Sequence, residues 1–381
     1  MKNLILILAV LCLTCRGWAN ESFFIGNQEG DGEILFFTQI EEGPDGNVYI
    51  YDQRLAFIKV FSPAGTFLRK IGGKGQGPGE FQRTDDVSFN FTHDGKLLYF
   101  TEFFGGHRWI TFMELSGKLH HVLKLKMEKK YAISSSIQLN DGRFLAQASY
   151  NCEPRRKQDY WLYECPTALV IISPSGELSK EILSTNHVMR ISSSQSGADL
   201  PIPHIPGFIW LLLKNNTIAF TEGLSNELKL YDLNGKSSGE IQLPLPPPRP
   251  VIAKDLDEWR EEIKNRPDKE WFNRFGKVIY KYTQSLYSHK SSIGSISLTP
   301  GNQFLVAGLQ DKAMKTCPYW LLDMNGKTVK QVTIGPPVYS VKMTRHFIFS
   351  FSEDEDENPA LLCIPRKGTE VEDLERLSRF K

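Results

Sequence analysis

Short apolar runs broken by small polar turns recur along the whole chain. One form reads "VFSPAGTFL" around Gly65, "FMELSGKLH" around Gly117, "IISPSGELS" around Gly176, "LYDLNGKSS" around Gly235, "LLDMNGKTV" around Gly326 and "LCIPRKGTE" around Gly368. A glycine at a tight hairpin position supplies the positive φ that other residues resist. A second form precedes each of these by about one strand pair. It reads "GPDGNVYIYD" near Gly46, "THDGKLLYFT" near Gly95, "LNDGRFLAQA" near Gly142, "LKNNTIAFTE" near Asn216, "TPGNQFLVAG" near Asn302 and, degenerate, "MTRHFIFSFS" near His346. The runs after these turns alternate or are wholly apolar and rich in Val, Ile, Tyr and Phe, as strands are.

Two hairpin turns and about four short strands per unit are the signature of a propeller blade. A lone four-stranded sheet cannot bury both faces, so such units stack until a ring closes. The fold class expected is therefore all-β, a six-bladed β-propeller of four-stranded blades. The last copy runs into "EVEDLERLSRFK", which is charged and helix-like and makes a poor fourth strand. "SFFIG", residues 22–26, is expected to supply that strand and close the ring with the chain's own start.

Residues 43–81, "GPDGNVYIYDQRLAFIKVFSPAGTFLRKIGGKGQGPGEF", resemble one blade of the NHL-repeat group of six-bladed propellers. In that group a D-G turn, an aspartate-ending strand and an F-x-x-x-G hairpin lead to a glycine-rich crossing that ends in phenylalanine. Asp52-Gln53-Arg54 only approximates the group's polar stretch. The glycines of "IGGKGQGPGEF" do not cradle a phosphate: counted from Gly73 the sixth place is Pro78, counted from Gly75 it is Glu80, and a strand follows instead of a helix. They are expected to let the chain cross between blades, with Phe81 anchoring the far side.

Tight turns of an up-and-down blade share one rim, and the longer second-to-third-strand loops and interblade crossings share the other, where function is expected. The varied segments are 102–108, 149–165, 184–207, 309–318 and 352–359. The longest, about 244–290, opens with "PLPPPRP" and continues as a helix pattern with Leu256, Trp259 and Ile263 on one face, and Asp255 as a plausible cap. A small helical insertion, about 251–288, is thus expected between blades 4 and 5, lying over the channel mouth.

Residues 1–19 carry Lys2, an apolar stretch over 4–13 and Gly17-Trp18-Ala19, a small-x-small cleavage site. They read as a signal peptide, with residues 20–381 as the propeller; lipid anchoring through Cys15 is the alternative. No later run is long and apolar enough to span a membrane, so a secreted or periplasmic chain is expected. A formal net charge of +1 argues against nucleic acid as a partner. In the exported chain Cys152, Cys165, Cys317 and Cys363 remain. A bond between Cys152 and Cys165 would staple a basic, aromatic loop containing Arg155, Arg156, Lys157, Tyr160 and Trp161. Cys317 and Cys363 either link blades 5 and 6 or stay free and buried.

Candidate chemistry is sparse. Arg155 and Arg156 suit a carboxylate, sulfate or phosphate. The acidic run Glu353 to Glu357 lacks the glycine and spacing of a calcium loop. His107, His187, His204 and His289 fall in loop segments without fixed ligand spacing, so no metal or other cofactor is assigned. The GKS at Gly235 to Ser237 lacks its upstream glycine and reads as a hairpin; no G-x-S-x-G elbow exists. Asn90 and Asn215 match the glycosylation acceptor pattern.

The reading favours an exported binding or interaction propeller that holds a protein, peptide, glycan or small anionic ligand on the loop face near the channel. Candidate contacts are Arg155, Arg156, Arg190 and His204, with Trp161 and Trp259 as walls. The alternative is an enzyme: the propeller lyases and lactonases that resemble this group work through a divalent metal such as calcium or zinc at the channel.

Overall fold

The computed structural model describes residues 22–379 except 27–29, 78, 83–86, 103–108, 127–130, 151–152, 158–159, 194–198, 202–206, 253, 256, 259–260, 262–288, 310–314, 337–339 and 354–358. Strands Phe37–Glu42, Val48–Asp52, Phe57–Phe61 and Phe67–Ile71 form blade 1, and Val87–Phe91, Leu97–Glu102, Trp109–Glu114 and Leu119–Lys124 form blade 2. Blade 3 is built on Tyr131–Gln138, Phe144–Tyr150, Tyr160–Ile172 and Leu178–Ser193; blade 4 on Ile209–Leu212, Ile218–Thr221, Glu227–Tyr231 and Ser237–Gln242. Blade 5 comprises Ile293–Leu298, Phe304–Gly308, Cys317–Leu322 and Thr328–Ile334. All are antiparallel meanders, as the paired turns require.

Blade 6 is assembled from both ends of the chain. Lys342–Met343, Phe347–Glu353 and Pro359–Pro365 supply three strands, and Phe23–Ile25 supplies the outer one, with Phe23 opposite Cys363 and Ile25 opposite Leu361. The closure read from "SFFIG" is the observed one.

Why the ring holds together follows from strand alternation. In blade 1, Val48 and Ile50 face blade 6 and pack with Phe349 and Leu361, whereas Tyr49 and Tyr51 face blade 2 and pack with Phe89 and Phe100. A second strand sandwiched on both faces has no polar side, which explains runs such as "VYIYD". Similar apolar clusters fill the remaining junctions. The third-to-fourth-strand hairpins lock adjacent blades. Gly176 has φ +83°, and a Cβ there would lie 2.2 Å from the Lys124 carbonyl oxygen of blade 2; only glycine permits both the turn and that approach.

The glycine-rich crossing behaves as expected. Phe81 is fully buried between Tyr51 and Phe100, with ring centroids at 5.4 and 4.6 Å. Its amide donates to the Gly73 carbonyl at 2.6 Å, and the Gly77 amide donates to the Glu80 carboxylate at 2.7 Å.

Two expectations need correction. Segments 149–165 and 184–207 are largely strand and not loop, because the third and fourth strands of blade 3 run to 13 and 16 residues. Cys317 and Cys363 are free, buried thiols and not a disulfide. Cys317 packs between blades 5 and 6, while Cys363 faces blade 1, so the sheet of blade 6 stands between them. Of the expected insertion, residues 254, 255, 257, 258 and 261 are helical among those described. The helix described over its whole length, α1 (Glu370–Ser378), lies at the C-terminal end. It is the helix-like "EVEDLERLSRFK" tail, opened by a capping box between Thr369 and Glu372. Most of the expected insertion, like residues 1–19, lies outside the described residues.

Candidate functional site: a ribbon raised on blade 3

The pairing between the second and third strands of blade 3 ends at Ser149 and Thr167. The third strand nevertheless continues back to Tyr160, about 20 Å beyond that edge at strand rise. The fourth strand accompanies it to Ser193. Glu153–Lys157 flanks it on one side, and Asp199–Pro201 flanks the fourth strand on the other. A four-stranded ribbon therefore rises from the rim opposite the tight turns.

The register sorts the arginines. Arg156 stands opposite Trp161, and Trp161 opposite Ser192; Tyr163 stands opposite Arg190. Since directly paired residues and every second residue share a face, the positions of Arg156, Trp161, Tyr163 and Arg190 lie on one face of the ribbon. Arg155 belongs to the other face, paired with Leu162. There its guanidinium forms an ion pair with Glu164 at 2.7 Å, and Asn186 donates to the same carboxylate at 3.3 Å. Arg155 is thus engaged within the ribbon. Two members of this arrangement, Tyr163 and Glu164, were missed by sequence reading, although the alternation "YWLYE" carried the signal.

Cys165 is buried at the foot of the ribbon and is not among the free thiols; Cys152 lies outside the described residues. His107, His204 and Trp259 also lie outside them. His289 belongs to a two-residue pair, Arg249–Pro250 with His289–Lys290, that brings the two ends of the 251–288 segment side by side. Asp255 secures that base. Its buried carboxylate is bidentate to Arg249, accepts the Ile252 amide at 3.0 Å and lies 3.5 Å from Lys290 Nζ. The Arg249 hydrogen bonds hold the Asp255 carboxyl well below the usual carboxylate range. Asp255 is therefore the anchor of a crossing more than a helix cap.

Among the described residues no group of three or more His, Cys, Asp or Glu is placed to hold a metal ion. Nor is any helix among them long and apolar enough to cross a membrane. Polar links between inner strands line the ring instead. The Gln39 side-chain amide donates to the Phe89 carbonyl at 2.6 Å and accepts the Phe89 amide at 3.0 Å, and Lys342 pairs with Glu41 at 2.6 Å.

Residues 35–188 match a protein family described as a 6-bladed beta-propeller. The chain is a six-bladed β-propeller. Its solved neighbours include a protein of Bacteroides fragilis described as a putative exported protein, at 12% identity and TM-score 0.48, covering 92% of this chain and 95% of that one. Virginiamycin B lyase of Staphylococcus aureus aligns at 12% identity and TM-score 0.44, over 90% of this propeller and 97% of the lyase. A member of the duf4221 family of Bacteroides vulgatus aligns at 8% identity and TM-score 0.48, over 92% and 99%. No curated protein matches the chain.

Proposed function

We propose that this propeller is an exported binding protein of the NHL-repeat type, whose ribbon on blade 3 holds an anionic ligand. The observation that carries the reading is the shared face of Arg156, Trp161, Tyr163 and Arg190. Two guanidinium groups supply forked donors for a carboxylate, sulfate or phosphate. Aromatic neighbours supply apolar area for the rest of the ligand, or a stacking surface for a sugar or peptide side chain. A peptide, an acidic glycan or a small anion satisfies this chemistry. Arg155 serves the ribbon itself through Glu164, and His204 and Trp259 stay candidates from the segments that flank it. The NHL-type reading rests on residues 43–81, and export rests on the leader pattern of residues 1–19.

Inorganic sulfate, a uronate oligosaccharide and an acidic peptide, each titrated by calorimetry, test the reading. Saturable binding that Arg156→Ala with Arg190→Ala weakens at least about tenfold is the expected result. Binding untouched by that pair would overturn it. Turnover of an ester or lactone that requires added metal and ignores the pair would favour the enzyme alternative.

A further inference from the structure

Blades 1 to 5 share one irregularity in their outer hairpins. In each, the fourth strand carries an extra residue at the third place after the hairpin glycine, flanked by residues that pair normally with the third strand. The residues at the third and fourth places are Leu68-Arg69, His120-His121, Ser179-Lys180, Ser238-Gly239 and Val329-Lys330. The bulge thus belongs to the ring, and what it displays is particular to each blade.

Successive residues of a regular strand point to opposite faces, so adjacent histidines there would not meet. The bulge cancels that alternation. In blade 2 it sets Nδ1 of His120 2.6 Å from Nδ1 of His121, with the ring planes crossing at 71°. Phe112, the residue paired with His121, stacks on the His121 ring at 4.1 Å and 9° and fixes its plane. In blades 1 and 5 the fourth place makes an interblade or helix link instead: Arg69 donates to the Leu115 carbonyl at 2.8 Å, and Lys330 pairs with Glu375. His121 turns its Nδ1 to His120, and both rings remain open to solvent.

At that separation only one Nδ1 carries a proton, and the other presents a lone pair. Once the first proton moves to its own Nε2, both lone pairs converge on one point. Partial desolvation, and then the charge of His120, hold the His121 imidazolium below the usual histidine range, which favours the unprotonated ligand near neutrality. Two nitrogens about 2.0 Å from a metal stand about 2.8 Å apart when cis in a square plane, and about 3.3 Å apart on a tetrahedron. The observed separation is closer to the first. Square-planar nitrogen sites suit copper(II) or nickel(II), and copper(II) binds the same donors more tightly. We propose that His120 and His121 form an exchangeable copper(II) site, bound through both Nδ1 atoms with water in the two remaining in-plane positions. The metal exchanges two waters for two imidazole nitrogens, and no oxidant or reductant is involved. The site stands on the outer edge of blade 2, near the tight turns, and is independent of the ribbon's ligand.

Copper(II) titrated into the metal-free full chain, with glycine as a weak competing chelator, tests the proposal. Electron paramagnetic resonance is expected to show one saturable site with two equatorial imidazole nitrogens. His120→Ser with His121→Lys installs the pair that blade 3 already carries at this bulge, so the fold is kept; it should weaken binding at least about tenfold. His120→Asn alone, at the exposed bulge position, should leave the signature of a single imidazole. An about tenfold excess of zinc(II) should not displace the copper. Binding unchanged in the double variant, a single-nitrogen signature in the parent chain, or ready displacement by zinc(II) would each overturn the proposal.

Discussion

Lys59 Nζ lies 3.4 Å from Asp52 Oδ2, and neither side chain has any exposed surface. Asp52 ends the second strand of blade 1 and accepts backbone amides from Leu35 at 3.0 Å, Phe36 at 3.4 Å, Arg54 at 3.2 Å and Leu55 at 3.3 Å. Leu35 and Phe36 belong to the crossing that leads from the N-terminal strand into blade 1, so the carboxylate ties ring closure to the blade. Lys59 Nζ makes no hydrogen bond in the described structure, and burial pushes its ammonium below the usual lysine range.

The two partners are therefore unequal. Asp52→Ala strands a buried ammonium and four amides, and should cost about 3–5 kcal/mol of stability. Lys59→Met removes the poorly solvated member and should cost far less. Because the folded chain holds the Lys59 proton more weakly than the unfolded chain, its contribution favours folding as pH rises from the folded value towards the ordinary lysine pKa of about 10.4. Chemical denaturation of both variants at neutral and alkaline pH checks the ranking and the sign; equal losses would refute it.

Ring closure makes a second expectation. Ile25 is 1% exposed and shares a cluster with Phe347 and Leu361. Ile25→Ala should destabilise by about 2–5 kcal/mol, whereas Phe24→Ala, at an exposed position on the same strand, should change little. Thermal melting of the two variants distinguishes closure by this strand from a loose N-terminal tail.

The base of the 251–288 segment should respond to acid. Asp255 has a depressed folded pKa, so its contribution is present above the ordinary carboxylate value of about 3.9 and is lost as pH falls below it towards the folded value. Asp255→Asn should cost about 1–3 kcal/mol near neutrality. Its melting temperature should approach that of the parent only below about pH 4. A gap that persists unchanged in acid would show that the carboxylate acts through shape and not charge.

At the foot of the ribbon, Cys165 is buried and is not among the free thiols. Non-reduced peptide mapping of the native protein is expected to recover Cys152 joined to Cys165, with Cys317 and Cys363 alkylated only after unfolding. Burial pushes both of the latter thiols above their usual range, which slows their reaction further. Free Cys152 in the native protein would remove the staple.

The blade count, the closing strand, the crossing at Phe81 and the charged tail that forms α1 were all legible in the chain, because each depends on local chemistry: a glycine forced to positive φ, a period of two, a capping box. The neighbours of each side chain were not. "STNHVMRISS" has no clean alternation, and it is strand only because Tyr160 to Thr167 offers it backbone partners. The separation of Cys317 from Cys363 depends on which face of blade 6 each meets. So does the division of the arginines: Arg155 and Arg156 are adjacent in sequence and indistinguishable by composition. Pairing with Leu162 and Trp161 assigns them to opposite faces, Arg155 to that of Glu164 and the Arg156 position to that of the Arg190 position. Period and turn chemistry are written within a few residues, whereas face, register and partner are set by strands that meet only when the ring has closed.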